Sequence, residues 1–184
     1  MADNSTLDKA IFDALYTTLK NEMNIGVVNG IGTPGAGTNP TGRLQTCADM
    51  RKSIHLWTKR LPAIGVQPLG WSAAEDATSK RLVTFKYHII AHLEWTTAIT
   101  QNGNPPNLDD AWAALQPLMS DGNGNGIEAI LNDPNNYSLG VPGVITSKLG
   151  QLDRVWRIGD GQPPQIQAWA MYEYEVEANV YIGR

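Results

Sequence analysis

The stretch QAWAMYEYEVEANVYI, Gln167 to Ile182, decides the fold, because it alternates almost without a break. Ala168, Ala170, Tyr172, Tyr174, Val176, Ala178, Val180 and Ile182 fall on one side, and Trp169, Met171, Glu173, Glu175, Glu177, Asn179 and Tyr181 on the other. A period of two belongs to a strand with one face on a core. At about 3.3 Å per residue, Ala168 to Ile182 covers roughly 50 Å if straight. A compact domain of this chain length is only about 40 Å across. The strand must bend, break or project, and a projecting strand with patterned faces usually finds a partner, often another copy of its own chain. Glu173, Glu175 and Glu177 give its polar side an acidic stripe.

RLVTFKYHIIAHLEWT, residues 81–96, behaves the same way. Val83, Phe85, Tyr87, Ile89, Ala91, Leu93 and Trp95 form an apolar face, opposed by Thr84, Lys86, His88, His92, Glu94 and Thr96, with Ile90 the exception. LPAIGVQPLGW (61–71) is a shorter strand whose prolines mark an edge or an end. GVITSKLGQLDRVWRI (143–158) is a weaker one.

Helices account for most of the rest. In NSTLDKAIFDALYTTLKNEM (4–23), Leu7, Ile11, Ala14, Leu15, Thr18, Leu19 and Met23 recur at helical spacing, and Ser5 with Asp8 resembles a capping box. CADMRKSIHLWTK (47–59) is expected to be a second, short helix. LDDAWAALQPLM (108–119) has Asn107 as its N-cap and Pro117 to kink or end it, and GIEAILND (126–133) adds a turn or two. Residues 24–46, rich in Gly, Asn, Thr and Pro, form a long surface loop. The expectation is a single α+β domain over residues 1–184, with a largely antiparallel sheet of about four strands. Helices would pack on one face, and the C-terminal strand would be long.

Composition narrows the function. A net charge of −4 argues against a whole-protein nucleic-acid binder, which is normally basic. The single cysteine, Cys47, excludes an internal disulfide. No basic, apolar leader opens the sequence and no apolar run reaches bilayer length, so a soluble protein made in a cytoplasm is expected, with no membrane partner.

Several motifs invite chemistry. GIGTPG (30–35) fits G-x-G-x-x-G, but Pro34 and the residues after it leave no helix to carry a pyrophosphate, so a flexible loop is the better reading. DGNGNG (121–126) supplies Asp121, Asn123, Asn125 and Gly126 at calcium-loop positions. Its twelfth position is Asn132 rather than a bidentate Glu, which leaves at best a weak calcium candidate. His88 and His92 have the spacing of two zinc ligands on a helix, yet on a strand they stand about 13 Å apart and cannot share an ion. They join Lys86 and Glu94 on a solvated or interfacial polar face. His55 has no evident partner. Asp109 and Asp110 are explained by their place at a helix start. Glu173, Glu175 and Glu177 lack the differentiated surroundings that acid–base catalysis needs. No catalytic residues, no cofactor and no metal are expected, and an enzyme is the last choice.

The order of elements resembles the tail terminator (tail completion) proteins of long-tailed bacteriophages. The residues carrying the resemblance are the N-terminal amphipathic helix, the short strand LPAIGVQPLG and the long strand RLVTFKYHIIAHLEW. They continue with the helical LDDAWAALQPLM…IEAILND and a closing hairpin ending in YEYEVEANVYI. The likeness runs from Ser5 to Ile182, departing at residues 24–46 and at DGNGNG. It implies a structural virion protein of the neck: a hexameric ring that caps the tail tube, docks the head connector and lets DNA pass through its lumen without sequence-specific binding. The lumen or interface candidates are then Glu173, Glu175, Glu177, Lys86, His88 and His92. In the plainer reading the glutamates pair with Lys86 across strands or face solvent. Another neck component, such as a head-completion or connector protein, is the alternative. A small calcium-dependent binding module built on Asp121 to Gly126 ranks below it.

Overall fold

The structure, a computed structural model, describes residues 4–24, 39, 41–44, 47, 49–52, 62–74, 80–96, 108–159 and 165–181. Its elements are α1 (Asn4–Asn21), β1 (Asp49–Arg51), β2 (Ala63–Ala73), β3 (Lys80–Thr96), α2 (Leu108–Met119), α3 (Ile127–Leu131), β4 (Val144–Gly159) and β5 (Gln165–Tyr181). The glycine motif at 30–35, His55, the Asn107 cap and most of the 24–46 loop lie outside the described residues.

The strands form one sheet in the order β1-β2-β3-β5-β4. Every pairing is antiparallel except the short β1–β2 contact. The fold is α+β, with the expected long C-terminal strand at the heart of the sheet. β3 and β5 match without a register shift from Lys80 opposite Tyr181 to Thr96 opposite Gln165. That ladder joins the two most strongly alternating segments of the sequence. Their apolar faces coincide: Phe85, Tyr87, Ile89, Ala91, Tyr174, Val176 and Ala178 are fully buried. Burying one large apolar side chain contributes about 1.5–3 kcal/mol, so this double row dominates the core.

The helices lie over that face. α1 buries Leu7, Ile11, Leu15 and Leu19, the stripe its spacing predicts. Asp8, however, does not serve a capping box: its Oδ1 accepts the Tyr87 hydroxyl at 2.6 Å, tying α1 to β3. Tyr172 likewise donates to Glu128 of α3 at 2.8 Å. These bonds satisfy two phenols that the core would otherwise strand without partners. α2 continues through Pro117 to Met119, because a proline near the end removes one helix hydrogen bond and the last turn tolerates the loss. None of the described helices is long and apolar enough to cross a membrane.

The expected helix at 47–59 is the main correction. Asp49–Arg51 is a strand, parallel to Ala63–Gly65, and residues 53–60 lie outside the described set. Met50 is buried and Cys47 fully so, and burial pushes the Cys47 thiol up to about 12. Tertiary pairing has overridden a short segment's local preference. β1 brings the sheet to five strands.

The neck of the 24–46 loop is fastened from outside. Met23 pairs with Leu44, and Arg43 donates to Glu22, to Asp133 at 3.1 Å and to the Ala129 carbonyl at 3.3 Å. One guanidinium thereby joins the end of α1, the loop and α3.

Candidate interaction face

The described helices all contact one face of the sheet, and on the other face of β3, β5 and β4 polar side chains stand beside Ile90, Trp169 and Met171. Register sets their geometry. Lys86 stands opposite Glu175, His88 opposite Glu173, and Thr84 opposite Glu177. On the far side of β5, Lys148 is level with Glu175 and Thr146 with Glu177.

Lys86 divides its ammonium between two carboxylates. Nζ is 3.1 Å from Glu173 Oε1 and bonds Glu175 Oε1 as well. These hydrogen bonds, Glu175 foremost, raise the Lys86 pKa above its ordinary value. The three side chains are 36–46 % exposed, so solvent screens the cluster and it orders the face more than it stabilises the fold. Among the described residues Glu177 has no cationic partner. Three glutamates against Lys86 and Lys148 leave a net of −1 on this patch.

His88 is partly exposed on this face, as expected. His92 is not. It is 5 % exposed, and its ring stacks on Trp169 with centroids 5.2 Å apart and planes 6° apart. Among the described residues neither of its nitrogens finds a hydrogen-bond partner. Burial holds its pKa down to about 4, so it is neutral at physiological pH. The sequence put His92 with the solvated residues because alternation reports which face a side chain is on. It does not report how deeply that part of the face is covered.

The DGNGNG loop has its own arrangement. Asp121 Oδ1 accepts from Asn123 N at 2.7 Å and Asn125 N at 3.1 Å, while Oδ2 accepts from Asn125 Nδ2 at 2.6 Å. These bonds lower the Asp121 pKa. The one carboxylate at the calcium-loop positions is thus used to fold its own turn. Gly122, Gly124 and Gly126 adopt the positive φ that the turn requires. No group of three or more His, Cys, Asp or Glu side chains among the described residues is arranged to hold a metal ion.

Concavities open among the described residues. One, of about 180 Å³, lies between α2, α3 and the sheet, where Arg154 sits over the Trp112 ring beside the Glu128–Tyr172 pair. Another is a cleft of about 400 Å³ beside β4, lined by Tyr137, Ser147, Leu149 and neighbouring residues. The described residues also offer a broad polar face and sheet edges, features suited to binding other macromolecules.

No protein-family model matches the chain, and no characterised protein matches it in sequence.

Proposed function

We propose that this chain is a structural virion protein, a tail terminator of a long-tailed bacteriophage. Its copies form a ring that caps the tail tube and docks the head connector, and DNA passes through the lumen. One observation supports the reading: on the face of the β3–β5 ladder away from the described helices, Glu173, Glu175 and Glu177 keep an acidic excess even though Lys86 pairs with two of them, as the plainer reading expects. Repeated around a ring, such a surface is ordered, polar and net negative. It repels the phosphate backbone and so lets DNA slide without sticking. The long, regular ladder supplies a stiff wall for it.

Light scattering with negative-stain imaging of the same fraction tests the ring. A particle near six times 20.0 kDa with a central hole supports the reading. A strict monomer that also ignores the ends of purified tail tubes removes it. Replacing Glu173, Glu175 and Glu177 together by Gln separates the two roles of the stripe. The ring persists if the glutamates line a lumen, and dissociates if they hold subunits together.

A further inference from the structure

The sheet has two unequal open edges, and they match. Among the described residues, β4 pairs only with β5, and β2 beyond Gly65 pairs only with β3. Level positions can be followed across the sheet between the two edges, through register shifts at Pro68/Gly70 in β2 and at Val144/Thr146 and Leu149/Leu152 in β4. Val66 is level with Ile89, Tyr172 and Leu152, and Ala73 is level with Val83, Ala178 and Val144. The open half of β2 and the first half of β4 therefore lie at the same height. They also run in opposite directions, because three antiparallel steps separate them. Set beside each other, β4 of one copy and β2 of the next continue the antiparallel sheet, with the bulges of both edges inside the joint.

The side chains agree with that joint. Trp71, 48 % exposed, lies opposite Phe85 and so on the helix-bearing side of the sheet, level with Ser147. At that height the cleft beside β4 opens, lined by Tyr137, Ser147 and Leu149 and also by Thr146, Lys148, Glu175 and Glu177 of the opposite face. Ser147 Oγ, in a residue 9 % exposed, hydrogen-bonds the Tyr174 phenol and keeps acceptor capacity. An indole N–H is a donor in need of an acceptor. β4 is also irregular where it should be. Its bulge between Leu149 and Leu152 falls level with Val66, where the neighbour's β1 begins to occupy the edge and β4 must bend aside.

We infer that copies of this chain join head to tail through these edges, Val66–Ala73 of one pairing with Val144–Leu152 of the next and Trp71 seated by Ser147. Because the two edges differ, the contact is heterologous, and it closes into a ring when the rotation per copy permits. The inference rests on the assembly part of the proposed function and not on what the ring caps. Pro68 lacks an N–H, which keeps the backbone pairing short and leaves Trp71 as the anchor.

The test is a disulfide ladder in the full chain carrying Ser72→Cys and Thr146→Cys, which lie at one height on the helix-free side. Within one chain the two positions are about 14 Å apart across three strand spacings, too far to bridge, so only neighbours can couple. Buried Cys47 stays out of reach. Oxidation is expected to give dimers, trimers and higher species that reducing agent collapses, with neither single variant forming a ladder. Trp71→Ala, at an exposed position, should keep the wild-type circular dichroism and weaken self-association at least about thirty-fold. A ring-sized particle without the ladder overturns this joint while leaving the ring reading in place. A monomer without the ladder overturns both. Unchanged assembly of Trp71→Ala removes the anchor and with it the joint as described.

Discussion

Acid should destabilise this protein through one buried histidine, and the loss can be worked out beforehand. Ala63, Ile90, Trp169 and Met171, which flank His92 on its side of the sheet, are uncharged, and Glu94 follows two residues along the same strand. Burial holds its folded pKa near 4, against an ordinary 6.5. In the unfolded chain the imidazole takes up a proton as pH falls through 6.5, while in the folded chain it does not until about 4. The unfolded state thus binds more protons across this window, and stability declines as pH falls through it. At pH 5 the unfolded imidazole is 1.5 units below its pKa, and at about 1.36 kcal/mol per unit the contribution lost since pH 7.5 is about 2 kcal/mol. For a chain of this length that is roughly 4–8 °C in Tm. The comparison is with His92→Phe, which keeps a flat ring against Trp169 and cannot titrate. Urea denaturation of both proteins at pH 7.5 and pH 5 gives a difference in which the carboxylates and His88 cancel. The wild type should lose about 2 kcal/mol more than the variant over that interval. His92→Phe should also be at least as stable at pH 7.5, since it removes two buried nitrogens that lack partners among the described residues. Parallel profiles for the two proteins would refute the burial of His92 and the reasoning built on it.

Arg43→Ala should cost about 2 kcal/mol in chemical denaturation, between the values for exposed and buried ion pairs, because a quarter-exposed guanidinium holds Glu22 and Asp133 together. Arg43→Lys should recover less than half of that, since one ammonium cannot serve both carboxylates in the same geometry. Gly126→Ala should lose about 2–3 kcal/mol, because its Cβ meets the Met119 carbonyl oxygen at 2.7 Å and its φ is +92°. Gly124→Ala, with similar φ but open space, should lose about 1 kcal/mol, and thermal melts of the pair separate collision from backbone strain. Millimolar calcium should leave Tm unchanged and give no calorimetric heat, since Asp121 already accepts three hydrogen bonds from its own loop.

Where one side of a strand meets a core along its whole length, the sequence spells out the structure. β3 and β5 alternate because every second residue from Val83 to Leu93, and from Ala168 to Val180, enters one continuous interior. α1 is legible for the same reason, its stripe of Leu7, Ile11, Leu15 and Leu19 meeting that interior every third or fourth residue. β4 alternates poorly because two bulges reset its period and because, as an edge strand, it leaves Ile145 and Val155 half exposed. β1 was hidden, since three residues carry no period and owe their extended form to Ala63–Gly65 alongside. On the polar face, the stripe of glutamates could be read directly. The division of Lys86 between two of them could not, because it depends on which residue of β3 lies opposite which residue of β5.

The central ladder also constrains how the protein comes into being. Thr96 pairs with Gln165, 69 positions later, and Lys80 with Tyr181, 101 positions later, so the innermost strands of the sheet are far apart along the chain. Closing loops of that length is slow compared with forming a helix or a hairpin, and contacts of this range set the pace of folding. During synthesis, β3 must wait beside β2 with one long edge unpaired until residues 165–181 have emerged from the ribosome. Over that interval Phe85, Tyr87 and Ile89 lack half of their eventual cover, which is the condition under which nascent chains associate wrongly. Slower elongation prolongs the exposure and lower temperature weakens the hydrophobic misassociation. The yield of folded protein should therefore depend on synthesis conditions more steeply than the stability of the finished sheet suggests.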